Sequence, residues 1–237
     1  MYRYIKWEMK KENLLNLVSD FLASGQPDDM IGQYHPAIIK KYLENAFNQV
    51  VYQVWLNCRK FTDYSQLDAW TYTYELELYD AVTAGSLVSG HIRLPYPPMQ
   101  LPDNMGIREV AVKGDDNIVF AYLDNTAVAI FNELEVSSID ATPTFRLEMN
   151  NTLLAGASHI LRLAKIPLST YNLYSMFDPF TLNVKMIVPL DQIGDYDDIA
   201  MPAGQEDNLV KQTVEFLRNK PPQDTAPDGV ANRPNQL

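Results

Sequence analysis

Apolar positions recur with helical period at two places early in the chain. Leu14, Leu15, Leu17, Val18, Phe21 and Leu22 make one stripe, which predicts a helix over 12–24 closed by Gly25. A second stripe begins after His35-Pro36, with proline at a tolerated first-turn position. It runs through Ile39, Tyr42, Leu43, Ala46, Phe47, Val50, Val51, Val54, Trp55 and Cys58. At 1.5 Å per residue this helix is roughly 34 Å long, and its wide stripe suits a place against a sheet or between subunits. From Ser65 to Tyr79 the period drops to two. Trp70, Tyr72, Tyr74, Leu76 and Leu78 face one way, and Thr71, Thr73, Glu75 and Glu77 the other, as in a half-buried strand.

Further along, LPYPPMQLPDN (94–104) holds four prolines and predicts an extended arm or loop. IREVAVK, GDDN and IVFAYLD read as a hairpin, and PTFRLEMNNTLLAG as another turning at Asn150-Asn151. Residues 127–136 fit helix and strand equally well. HILRLAKIP is a short strand. In FTLNVKMIVP a cleaner strand puts Leu182, Val184, Met186 and Val188 on one face. The last helix starts near Pro202, with Glu206 and Asp207 in its first turn and Arg218 and Lys220 at its end, as the macrodipole favours. Leu209, Val210, Val214 and Leu217 are its apolar stripe. Residues 220–237 carry almost no large apolar side chain and predict a flexible tail.

The pattern as a whole predicts an α+β fold. It has an N-terminal helical region with a helical pair (1–62), then a β-rich region of antiparallel or mixed sheet with the proline-rich arm (63–193). An acidic loop and C-terminal helix follow (194–219), then the extended tail (220–237).

Composition changes the picture in one respect. The net charge of −11 argues against a free nucleic-acid binder, which carries a basic stripe, and against anionic membrane surfaces. Cys58 is a lone cysteine on an apolar helical stripe and reads as a buried structural thiol. The N-terminus has no long apolar region with a small-residue cleavage site, so no secretory signal is expected, and no run approaches a membrane span.

Candidate chemistry is thin. His35, His91 and His159 stand in no metal-ligating frame, so no metal site and no cofactor is expected. Asp195, Asp197 and Asp198 lack the frame of a calcium loop and read as a solvated acidic turn. GSLVSG is a turn rather than a phosphate loop, and no G-x-S-x-G nucleophile elbow occurs. No catalytic residue is assigned, and the chain is expected to be non-enzymatic. Fourteen tyrosines and three tryptophans point either to cross-strand packing or to interfaces. The interface candidates are Tyr96, Pro97 and Pro98 in the arm, and Tyr171, Tyr174, Met176 and Phe177 in a stretch that reads as a loop.

The order of these features is similar to that of virion structural proteins of tailed bacteriophages. QPDDMIGQYHPAIIKKYLENAFNQVVYQVW (26–55), IPLSTYNLYSMFDPFTLNVKMIVPLDQI (166–193) and the closing PAGQEDNLVKQTVEFL carry the resemblance. In particular the chain resembles the ring or head–tail connector proteins of crAss-like phages. The resemblance implies a non-enzymatic subunit that stacks as a homo-oligomeric ring, commonly of twelve, below the portal. Its partners would be other connector, portal and tail proteins. It would enclose the DNA channel without sequence-specific binding, without a membrane, and its place would be the virion. A second reading is a tail-associated carbohydrate- or protein-binding β module with Trp70 or Tyr72 lining a groove. A third is a hydrolase built from remote acids such as Asp80 and Glu135.

Overall fold

The computed structural model describes residues 9–23, 34–123, 142–149, 159–176 and 178–219. Expectations for Gly25, 127–136, the turn at Asn150-Asn151 and the tail lie outside them. The architecture is α+β, with helices at both ends of the chain and antiparallel and mixed sheets between. The chain divides into two compact units, 1–53 with 194–237 and 54–193, and the division falls inside the second helix.

In the first unit, α1 (Lys11–Ala23) buries Leu14 and Val18. Leu17 and Phe21, assigned to the same stripe, stand 42% and 44% exposed. The six positions span more of the helix circumference than one packing face covers. α2 (Pro36–Phe61) begins where predicted. His35 caps it, its Nδ1 accepting the Ala37 N–H at 3.2 Å, and Arg59 and Lys60 occupy its last turn. Along α2, Ile39, Leu43, Ala46, Phe47, Val50 and Val51 are buried in this unit. The closing helix α5 runs from Glu206 to Asn219, four residues later than Pro202 suggested, and buries Leu209, Val210, Val214 and Leu217 against α1. Each such side chain contributes about 1.5–3 kcal/mol on leaving water. Two short strands, β1 (Met9–Lys10) and β11 (Asp198–Ile199), pair antiparallel and tie the two ends of the chain together.

The second unit holds two sheets. The four-stranded sheet has the order β2-β10-β5-β6, all antiparallel: β2 is Tyr72–Glu77, β10 Thr181–Met186, β5 Ile107–Val112 and β6 Asp115–Val119. Leu182, Val184 and Met186 lie between Leu76, Tyr74 and Tyr72 on one side and Val112, Val110 and Ile107 on the other. The strand predicted from Ser65 starts only at Tyr72, because Ser65–Asp68 forms a short helix, α3. Leu67 of α3 and Trp70, in the turn that follows it, are core.

The five-stranded sheet has the order β3-β4-β9-β8-β7, with β3 Tyr79–Ala84, β4 Leu87–Arg93, β9 His159–Pro167, β8 Thr144–Met149 and β7 Ala121–Tyr122. β7 pairs parallel to β8, so the sheet is mixed. The β5–β6 hairpin is present, but it turns at Lys113-Gly114 rather than over GDDN. Gly114 has φ +90°, a conformation that glycine adopts without strain. The run IVFAYLD is shared between two sheets, since β6 ends at Val119 and β7 begins at Ala121. β8 finds its antiparallel partner in β9, Met149 opposite His159, across residues outside the described set.

Candidate interface surfaces

The proline-rich stretch is a loop packed on its own unit. Leu94, Pro98, Met99 and Leu101 are buried. The Met99 N–H donates to the Ile187 carbonyl at 2.8 Å, and the Ile187 N–H donates to the Gly106 carbonyl at 2.8 Å. A Cβ on Gly106 would lie 2.0 Å from the Met99 carbonyl oxygen, so the loop closes only around a residue without one. Of the candidates here, Pro98 is buried and Pro97 half-buried. Tyr96 is 36% exposed, with its ring 6.1 Å from that of Tyr74. The sequence signal, proline density, reports an extended backbone but not what that backbone lies against.

The second candidate stretch is not a loop. Leu168–Tyr174 forms a seven-residue helix, α4, entered through Pro167 at φ −58°. Seven residues are too few for a helical period to show in sequence. Tyr171 packs on Phe180 with ring centroids 5.4 Å apart. The Tyr174 hydroxyl donates to Asp115 Oδ2 at 3.1 Å, which fastens α4 to the β5–β6 hairpin. Burial and the Asp115 carboxylate push the Tyr174 hydroxyl pKa up, whereas the Asn117 N–H holds Asp115 below its usual value. Both tyrosines therefore have partners within the chain. Leu173 and Met176, by contrast, stand 63% and 65% exposed. Phe177 lies outside the described residues.

The acidic turn is built into the structure. Lys40 Nζ donates to Asp195 Oδ1 at 2.7 Å, and Lys11 Nζ lies 3.9 Å from the same oxygen. The Glu12 N–H donates to the Asp195 carbonyl at 2.9 Å. The Lys40 hydrogen bond holds the Asp195 carboxyl below the usual carboxylate value. Asp197 and Asp198 are exposed, as a solvated turn requires, and Asp195, its side chain still 45% exposed, is in addition paired with lysines. The partner lysines lie far away in sequence, at the start of α1 and in the second turn of α2, and no local spacing reveals them.

Chemistry of other kinds finds little support. Trp70 is 1% exposed, so it cannot line a groove, and Tyr72 is half-buried. Asp80 lies 3.6 Å from His91 Nε2 on the sheet edge, and Glu135 lies outside the described residues. Burial raises the Cys58 thiol pKa and makes it a poor nucleophile. Among the described residues no group of three or more potential ligands could hold a metal ion, and no helix is long and apolar enough to cross a membrane. A pocket of about 370 Å³ lies between the 98–107 loop, Leu147 and His159. Its polar groups are Gln100, Asn104 and His159, and Asn104 donates to the Tyr122 hydroxyl. Burial lowers the His159 pKa. Apolar side chains form most of the wall.

Compared with protein-family models and with characterised proteins, the chain matches none.

Proposed function

We propose that this chain is a non-enzymatic structural subunit of a tailed-phage virion. In this reading it is a ring or adaptor protein of the head–tail connector that self-associates around the DNA channel below the portal. The observation that carries the reading is the exposure of Leu173 and Met176, 63% and 65%, on the very segment that resembles the connector proteins. Large apolar side chains left in water beside aromatics are what a partner surface covers. A further support is β3, a six-residue edge strand whose side chains are all exposed, Val82 at 61%. Edge strands of this length are ready templates for a neighbour's backbone. Support for assembly thus rests on α4 and β3, and the proline-rich loop supplies Tyr96 alone. The binding-module alternative loses its tryptophan to the core.

Light scattering and negative-stain electron microscopy test the proposal. The purified chain, alone or mixed with a tailed-phage portal protein, should form closed rings. A monomer that stays monomeric in both conditions overturns the reading.

A further inference from the structure

The register of the five-stranded sheet aligns four side chains from four strands. Tyr79 of β3 pairs with His91 of β4, His91 with Arg162 of β9, and Arg162 with Arg146 of β8. Directly opposed residues project from the same side of a sheet, so these four form one row across it. At the usual strand spacing the row is roughly 14 Å long. The contacts agree with the register. The Tyr79 and His91 rings stack 6.2 Å apart at 28°, and the Arg93 guanidinium sits 5.0 Å from the Tyr79 ring centroid. The opposite side of these strands carries Ile92, Phe145, Leu161 and Leu163, all buried.

Two acids adjoin the row. Glu148 lies between Arg162 and Arg146, at 2.5 Å and 2.9 Å, and Asp80 lies 3.6 Å from His91. Glu148 cannot neutralise both of its arginines, and Arg93 lies over a ring. Among the described residues Arg93, Arg146 and Arg162 outnumber Glu148 and Asp80 by one, so positive charge is in excess on this face of a chain whose net charge is −11. Arg162 remains 47% exposed, Arg146 36% and Tyr79 42%.

The same chain carries a feature of complementary chemistry. In the turn that opens at Gly194, Tyr196 stands 74% exposed and is followed by the exposed acids Asp197, whose Oδ2 accepts the Gly194 N–H at 3.1 Å, and Asp198, the first residue of β11. We propose that the arginine row receives this acidic, tyrosine-bearing turn from a second copy of the chain. Arginine forks pair with carboxylates and lie over aromatic rings, so one turn would satisfy both the excess charge and the exposed ring. The two patches differ, so the contact is heterologous and propagates from copy to copy, closing into a ring where the rotation allows. The inference rests on the self-associating reading above and names its contact. A nucleic-acid strand is the less favoured occupant, because the overall negative charge repels a polyanion.

Sedimentation velocity on the full chain tests it. Arg93→Glu with Arg162→Glu, and separately Asp197→Lys with Asp198→Lys, should each weaken self-association by at least about 100-fold. Mixing the two reversed chains in equal amounts should restore assembly, because each then offers the other a complementary patch. The neutral pairs R93Q/R162Q and D197N/D198N should keep the wild-type circular dichroism and melting temperature while weakening association less, which separates the contact from unfolding. Reversed chains that assemble like wild type overturn the contact and leave the structural-subunit reading standing. A wild-type chain that stays monomeric beside the portal protein overturns both. A single-stranded oligonucleotide bound by wild type and released by R93Q/R162Q also overturns it, and makes the row a nucleic-acid face.

Discussion

Lys11 Nζ lies 3.2 Å from Glu44 Oε1, with the lysine side chain wholly buried and the glutamate 21% exposed. The pair joins the first turn of α1 to the middle of α2, and Asp195 from the far end of the chain completes it at 3.9 Å. An ammonium group placed out of water needs such partners, because its desolvation costs several kcal/mol.

Glu44→Gln should therefore destabilise the protein more than an exposed acid-to-amide change does. The expected loss is about 1–3 kcal/mol, since the buried ammonium loses its nearest carboxylate while Asp195 stays 3.9 Å away. Urea denaturation of the variant checks this, with Glu215→Gln on the exposed face of α5 as a control expected to lie within about 0.5 kcal/mol of wild type.

Acid should loosen the same junction. Asp195 has its folded-state pKa lowered from the usual 3.8 by Lys40, so its contribution is present above that value and fades as pH falls through the lower folded one. His159, lowered from 6.5 by burial, acts in the same direction, with stability present above 6.5 and declining below it. A melting temperature measured from pH 8 to pH 3 should fall in two stages, the first beginning near 6.5 and the second near 3.8. Lys40→Met should shrink the second stage without abolishing it, because Asp63 and Asp115 are also held below 3.8 by partners other than Lys40.

Gly106→Ala should be costly although the residue is small. The added carbon would meet a backbone carbonyl at 2.0 Å, which no rotamer change relieves. Overpacking of this kind costs about 1–3 kcal/mol, or on the order of 2–10 °C in Tm for a chain of this size. Limited proteolysis should find the 94–106 loop cleaved faster than in wild type.

Trp70→Ala should lower stability by about 3–5 kcal/mol, as large-to-small core changes do. It should leave a glycan array as it was, because a side chain 1% exposed touches no ligand. Differential scanning calorimetry beside the array separates the two outcomes.

Leu173→Asp with Met176→Asp should leave the unfolding free energy within about 1 kcal/mol of wild type, because both side chains already face water. The assembled fraction in light scattering should drop at least tenfold if these residues meet a neighbour.

Where a signal was local, it was legible in the sequence. The period-3.6 stripe of α2 and the period-2 face of β10 arise within a few residues, and the helix and strand follow them closely, whereas β2 keeps only Tyr72–Glu77 of the run predicted from Ser65 to Tyr79. Proline density marked an irregular 94–104, and the charge distribution along 206–218 marked a helix. Tertiary structure decided everything that depended on a distant partner. It placed the two ends of the chain in one unit through β1 and β11, and converted a seeming surface acid, Asp195, into the anchor of two lysines. It buried Trp70 while leaving Leu173 in water, although both residues are large and apolar. It also gathered Tyr79, His91, Arg162 and Arg146 from four strands into one row. The physical reason is that periodicity tells which side of an element is apolar, whereas burial, ion pairing and cross-strand register depend on what packs there. That is set by chain segments many residues away.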